Sequence, residues 1–169
     1  MAEIVWVVVL GSETNLQVLK PSRKKPRPGD IFVMQLPDRR YIFGRVVRTD
    51  AVVGPMKNVV VIYIFRFHSR DRDLPDRSEF RPSNLLVPPV MTNLLPWSRG
   101  YFETIAHLSL GTDEMLSRHC FRSWDGKYYD EFGIELPRPI QPVGDAGLHS
   151  YRTIDDLVSD ALGLERAPE

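Results

Sequence analysis

The sequence has little cysteine, no long apolar segment and no excess of either charge. Cys120 is the one cysteine among 169 residues, so an intrachain disulfide is excluded and a reducing compartment is expected. The apolar run at residues 4–10 is far shorter than the ~20 residues that a membrane-spanning helix needs. Lys and Arg together number 22, as do Asp and Glu, so no overall field attracts nucleic acid or an anionic membrane. We expect a soluble cytoplasmic protein with no membrane partner.

Signatures of catalysis and of metal binding are also missing. The four histidines, none paired with another at ligand spacing, are His68, His107, His119 and His149. No phosphate-binding glycine loop or G-x-S-x-G elbow occurs. Cys120 precedes Phe121 in a predicted strand and is expected to be a core thiol. The Asp130–Glu131 pair follows a predicted hairpin and is expected to be exposed. We expect no catalytic residues, no metal and no cofactor.

Short runs of β-branched and aromatic residues are what the sequence has instead. They predict strands over Ile31–Leu36, Tyr41–Val47 and Val59–Phe67, with another over Tyr101–Leu108 and a buried strand at residues 4–10. Gly44 inside such a run predicts a bulge or a close backbone approach. The predicted fold is α+β and predominantly β: a curved antiparallel sheet or small open SH3-like barrel with a C-terminal α-helix.

Turn and capping residues place the hairpins and the helix. Pro37–Arg40 predicts a hairpin connection, and Asp125-Gly126 favours a two-residue type I′ turn between aromatic strands. Thr153 is the predicted N-cap of a helix that ends at Gly163.

The chain is expected to form one domain over residues 1–169. Its parts are an N-terminal strand region at 1–19, a basic proline-rich connector at 20–28, a main body at 29–164 and a polar tail at 165–169. Opposite charges alternate over His68–Arg81, which predicts a solvated loop or, alternatively, a partner-recognition loop.

Three surfaces are candidates for binding a partner: the charged loop, the aromatic hairpin and the acidic C-terminal helix. Acidic side chains on the helix suit a basic partner such as a nuclease, and Trp and Tyr are common interface anchors. The candidate interface residues are Asp73, Asp76, Trp124, Tyr128, Asp155, Asp156 and Asp160.

Two other functions are open on the residues alone. The basic patch Lys20–Arg27 suits a nucleic-acid-binding module, although no aromatic residues for base stacking lie within it. A small-barrel endoribonuclease would use Arg45 or Arg48 on phosphate and Asp30 or His68 for proton transfer.

Several motifs together resemble the immunity protein 26 family of bacterial polymorphic toxin systems. They are the segment K-P-R-P-G-D-I-F from Lys25, Leu36-Pro37-Asp38 with Tyr41, and Phe43-Gly44-Arg45-Val46, followed by Trp97–Phe102 and the ending Tyr151–Leu164. Arg39 departs from the pattern, since the family is expected to have Gly after Asp38.

The resemblance implies a non-catalytic protein that binds and neutralises a cognate toxin without any cofactor. Such a role needs a rigid scaffold with an exposed hot spot and complementary charge.

Overall fold

Five antiparallel strands form the main sheet of the protein. A computed structural model describes residues 14–169 of the chain. The strands are β1 (Asp30–Gln35), β2 (Tyr41–Val53), β3 (Met56–Ser69), β4 (Val90–Thr92) and β5 (Glu103–His107). Their order in the sheet is β4-β3-β2-β1-β5. The strands predicted from the apolar runs of this sheet are confirmed, whereas the run predicted at residues 4–10 lies outside the described residues.

Strands β2 and β3 are longer than predicted and irregular. Their pairing register shifts at several points, the first between Ile42 and Gly44. A Cβ on Gly44 would overlap the ring of Phe32, which confirms the predicted close approach. Bulges of this kind bend a strand and increase its twist. The sheet stays open and does not close into a barrel.

Both faces of the main sheet are buried. Along β1, Phe32 and Met34 point into one core, while Ile31 and Val33 point into another. This alternation explains why the strand sequences are continuously apolar rather than alternating with polar residues. We call the two layers the helix-side core and the second-sheet core.

Among the described residues, two helices cover the helix-side core: α1 (Leu95–Ser98) and α2 (Tyr151–Ala161). Trp97 of α1 and Ile154 of α2 are both buried there. The N-cap of α2 is Ser150, whose Oγ accepts a hydrogen bond from Thr153 N at 3.3 Å, so the predicted cap at Thr153 is wrong by one turn. Tyr151, whose ring stacks on Tyr101 at 4.7 Å, already lies in the helix.

A second, smaller sheet covers the other core. Its strands are β6 (Cys120–Arg122), β7 (Tyr128–Tyr129), β8 (Glu135–Leu136) and β9 (Val143–Asp145), in the order β8-β7-β6-β9. Strand β9 pairs with β6 in parallel, so the second sheet combines parallel and antiparallel pairing. Phe121 of β6 enters the second-sheet core, and Cys120 is buried as predicted.

Short 3-10 turns lie in the segment between β3 and β4 and in the segment between β5 and β6. They are η1 (Arg77–Glu79), η2 (Pro82–Asn84) and η3 (Thr112–Glu114). Within residues 14–169, no helix is long and apolar enough to cross a bilayer.

Candidate protein-binding site

A hairpin of the second sheet carries the most exposed large apolar side chain described. Trp124 is 97% exposed at its tip. The loop closes through Ser123 N to Lys127 O at 2.8 Å and Gly126 N to Ser123 O at 2.9 Å. Gly126 has a φ of 83°, so the loop is a three-residue turn and not the predicted two-residue type I′ turn. We call residues 120–129 the Trp124 hairpin.

A cleft of about 520 Å³ lies beside Trp124. Its walls are the β2–β3 turn at residues 52–56, the Trp124 hairpin and the loop at residues 130–133, and Met91 and Phe121 contribute apolar side chains. We call it the Trp124 cleft. An apolar cleft next to an unpartnered indole is typical of a surface that another molecule covers.

The loop at residues 130–133 is held in a tight turn. Asp130 Oδ1 accepts hydrogen bonds from the N–H groups of Phe132 and Ile134 at 2.9 and 3.0 Å. Val52 N donates to Glu131 O at 2.8 Å, which fixes the loop to β2. The turn leaves Phe132 and Ile134 43% and 60% exposed, so the apolar surface extends beyond Trp124.

A buried chain of hydrogen bonds anchors this loop to the main sheet. Tyr63 Oη lies 2.7 Å from His119 Nε2, and His119 Nδ1 bonds to Glu131 Oε2. Tyr63 Oη also accepts a hydrogen bond from Leu116 N at 3.0 Å, and the Glu131 carboxylate accepts the bond from His119 Nδ1–H. Burial raises the pKa of Tyr63 to about 12. The hydrogen bonds from His119 outweigh burial and lower the pKa of Glu131.

The position of these hydrogen-bonded side chains assigns them a structural role. Tyr63, His119 and Glu131 are all buried, and none lines the Trp124 cleft. The predicted exposure of the Asp130–Glu131 pair is therefore wrong, because both carboxylates accept hydrogen bonds inside the protein. In the described part of the chain, no three His, Cys, Asp or Glu side chains come together as metal ligands.

The structure does not bring the predicted interface residues into one surface. Trp124 and the half-buried Tyr128 share the hairpin on one face of the main sheet, whereas α2 lies on the opposite face. Asp73 and Asp76 are exposed in the loop after β3, where Asp76 accepts a hydrogen bond from Ser78 N.

The acidic face predicted on α2 is smaller than expected. Asp155 is 2% exposed and accepts hydrogen bonds from the N–H groups of Asn15 and Leu16, so it is not an exposed interface residue. Burial raises the pKa of Asp155 despite these bonds. Asp160 and Asp156 lie 2.6 and 3.8 Å from Arg166, which neutralises much of the remaining charge.

The residues named for an endoribonuclease do not form a site. Arg45 is completely buried, with Nη2 donating to Leu108 O at 2.6 Å and Nη1 lying 3.2 Å from Glu114. Arg48 pairs with Asp50 at 2.9 Å, and Asp30 bonds to His107 at 2.8 Å. His68 lies opposite Ile42 on β3.

Most of the cleft could not be predicted from the sequence. Phe132 and Ile134 follow the hairpin in a segment without strand periodicity, and residues 52–56 are distant in sequence. The one local signal in the sequence is the pair of apolar residues on either side of Gly133, because glycine favours a turn and a turn tends to expose its side chains.

The fold is a β-rich scaffold with exposed apolar side chains beside a cleft. A family model described as Immunity protein 26 matches residues 27–130, and the chain belongs to this family. The matched range contains the main sheet and the Trp124 hairpin, while the similar ending at Tyr151–Leu164 lies outside it. Membership indicates a non-enzymatic role. Comparisons with curated proteins and with solved structures gave no match.

Proposed function

We propose that this protein binds a cognate toxin in the bacterial cytoplasm and neutralises it without catalysis, using the Trp124 cleft as the contact surface. The observation that carries the proposal is the 97% exposure of Trp124 beside an apolar cleft, in a member of an immunity-protein family. Tyr128 belongs to the same hairpin and is included in the proposed contact surface. The proposed contact surface does not include Asp73, Asp76 or the acidic residues of α2.

The energetics favour Trp124 as the anchor. The closed hairpin fixes the backbone of Trp124, and its side chain has only two torsions to order on binding. Burial of the indole contributes the apolar term of a hot spot, about 2 kcal/mol or more. The surroundings supply a polar rim, because Asp125 and Lys127 are exposed and the Arg48 guanidinium lies 4.6 Å from the Phe132 ring centroid.

The test compares Trp124→Ala with Val18→Ala. Val18 is 58% exposed and does not line the cleft, so its variant removes an exposed apolar side chain elsewhere on the surface. Tagged wild-type protein is first used to isolate its toxin from cells of the source organism, and the purified toxin is then titrated by calorimetry. We expect Trp124→Ala to weaken binding roughly thirtyfold or more and to abolish protection of growing cells, and Val18→Ala to match the wild type.

Two results would contradict the proposal at different points. Full protection by Trp124→Ala would show that the toxin binds elsewhere. Isolation of no protein with a toxin activity would reject the toxin-binding function itself.

A further inference from the structure

The main sheet has one open edge in the described part of the chain. At β4, the edge is covered, since His149 N donates to Met91 O at 2.8 Å and Thr92 Oγ1 donates to His149 O at 2.9 Å. At β5, the strand pairs with β1 on one side, and no other described residue makes a backbone hydrogen bond to residues 103–107. Unpaired N–H and C=O groups on an edge strand can pair with another extended chain.

The basic connector at residues 20–28 lies next to this edge. Leu19 N donates to Gly100 O at 2.8 Å and Ser22 N donates to Trp97 O at 2.9 Å, so the connector is fixed to the segment that leads into β5. A groove of about 190 Å³ separates the connector from β5, with lysines on one side and Glu103 and Thr104 on the other.

The charge of this groove is positive and uncompensated. Lys20, Arg23, Lys24 and Lys25 are exposed, and none forms an ion pair with a described residue. The two carboxylates in the groove already have partners, because Glu103 lies 2.7 Å from Arg72 and Asp30 lies 2.8 Å from His107. Added carboxylates would therefore meet unpaired cations.

We propose that the outer edge of β5 and the connector together bind an extended acidic segment of a partner protein. Its backbone pairs with β5 as an additional strand, and its carboxylates face Lys20, Lys24 and Lys25. This surface is separate from the Trp124 cleft, which involves the β2–β3 turn and β4, so the two inferences stand or fall independently.

The same features favour a polypeptide over a nucleic acid. A free strand edge matches the donor and acceptor spacing of another strand, whereas nucleic acid offers no matching ladder. Single-stranded nucleic acid is bound by aromatic stacking beside cations, and the connector carries no aromatic side chain. Prolines at 21, 26 and 28 restrict the connector, which lowers the entropy cost of presenting its lysines.

A bulge limits the length of the added segment. The register of β1 against β5 shifts between Ile31 and Phe32, and this leaves Ile105 as the extra residue of β5. Because a bulge interrupts a regular ladder, pairing is confined to a few residues on either side of Ile105.

The test uses fluorescein-labelled decapeptides and the full chain. The probe alternates Val and Glu, and its controls alternate Val and Lys or carry N-methyl groups at alternate residues of the Val-Glu sequence. Fluorescence anisotropy should show binding of the Val-Glu peptide and no binding of either control peptide. On addition of the Val-Glu peptide, the amide NMR signals of Thr104 to His107 should shift. The triple variant Lys20→Glu, Lys24→Glu, Lys25→Glu should weaken binding about tenfold or more. The charge-matched variant Lys57→Glu, Arg118→Glu, Arg138→Glu should bind the peptide as the wild type does.

Each other result overturns the proposal. Equal binding of the N-methylated peptide would show that charge acts without strand pairing. Binding of a ten-nucleotide oligothymidine in place of the Val-Glu peptide would identify a nucleic-acid surface. Absence of all binding at millimolar peptide would show that the edge does not accept a strand.

Discussion

Arg39 holds a backbone conformation that side chains with a Cβ disfavour. Its φ is 70°, in the turn between β1 and β2, and Leu36 N donates to Arg40 O at 2.8 Å to close the hairpin. This is the left-handed position of a three-residue hairpin loop, where glycine fits without strain. Arg39, which stands where the family pattern is expected to have Gly, is therefore also a point of conformational strain.

Replacement of Arg39 with Gly is expected to stabilise the protein by about 0.5–1 kcal/mol, because relief of the left-handed strain exceeds the added flexibility of the unfolded chain. Urea unfolding near 25 °C measures the change. Asn58→Gly is the control: Asn58 has a φ of 55°, but Asn tolerates this region, so a smaller gain is expected. An Arg39→Gly variant no more stable than wild type would contradict the strain argument.

Glu114 concentrates the electrostatic interactions of the interior. Its carboxylate accepts two hydrogen bonds from Arg77, at 2.9 and 2.8 Å, and lies 3.2 Å from buried Arg45. The bond from Arg77 is the main cause that lowers the pKa of Glu114 to about 2. A lowered carboxyl pKa stabilises the folded state above the ordinary pKa of 4.5, and this contribution is lost as pH falls toward 2.

Glu114→Gln should therefore be less stable than wild type near pH 7, by up to about 3 kcal/mol, with the difference shrinking below about pH 4.5 and vanishing near pH 2. Urea unfolding across this range measures it. Asp113→Asn, which removes an exposed ion pair to Arg81, should change stability by less than about 1 kcal/mol at any pH. A difference for Glu114→Gln that stays constant with pH would exclude the ionised pair as its cause.

At the scale of elements, the hydrogen bonds of Tyr63, His119 and Glu131 join the main sheet, the segment before β6 and a wall of the Trp124 cleft. Tyr63 belongs to β3, His119 precedes β6, and Glu131 belongs to the loop that forms one wall of the Trp124 cleft. Loss of one member leaves its neighbour buried without that partner, so we expect the effect to reach the cleft wall.

Tyr63→Phe is expected to destabilise the protein by about 1–3 kcal/mol, because His119 Nε2 and Leu116 N each lose a buried partner. Hydrogen exchange of the Val52 amide, which donates to Glu131 O, should accelerate. Tyr41→Phe is the matched control, since the Tyr41 hydroxyl makes no hydrogen bond in the described part of the chain. Unchanged Val52 exchange in Tyr63→Phe would separate the cleft wall from this chain of bonds.

At the scale of the whole molecule, the main sheet was predictable and its coverings were not. Apolar runs located β1, β2 and β3 because both faces of the sheet are buried. The buried state of Asp155 depends on N–H groups of Asn15 and Leu16, about 140 residues away in sequence, and no local pattern contains that information. The parallel pairing of β6 with β9 likewise depends on a distant segment.

The candidate site divides in the same way. The hairpin motif around Asp125-Gly126 was sufficient to place Trp124 beside a tight turn, but the structure includes Trp124 within a three-residue turn. The cleft beside it exists because the β2–β3 turn and the loop at residues 130–133 meet there, which is a property of the tertiary fold.

Burial of the main sheet on both faces has a consequence for how its strands find their partners. A slip of one residue between β1 and β2 would exchange one apolar face for another, so hydrophobicity alone penalises the error weakly. Two features of β2 make the native alignment unique. Gly44 leaves room for the Phe32 ring, and Arg45 must reach the Glu114 carboxylate. Steric fit at Gly44 and the buried charge of Arg45 therefore set the strand register, because the apolar side chains alone distinguish poorly between registers.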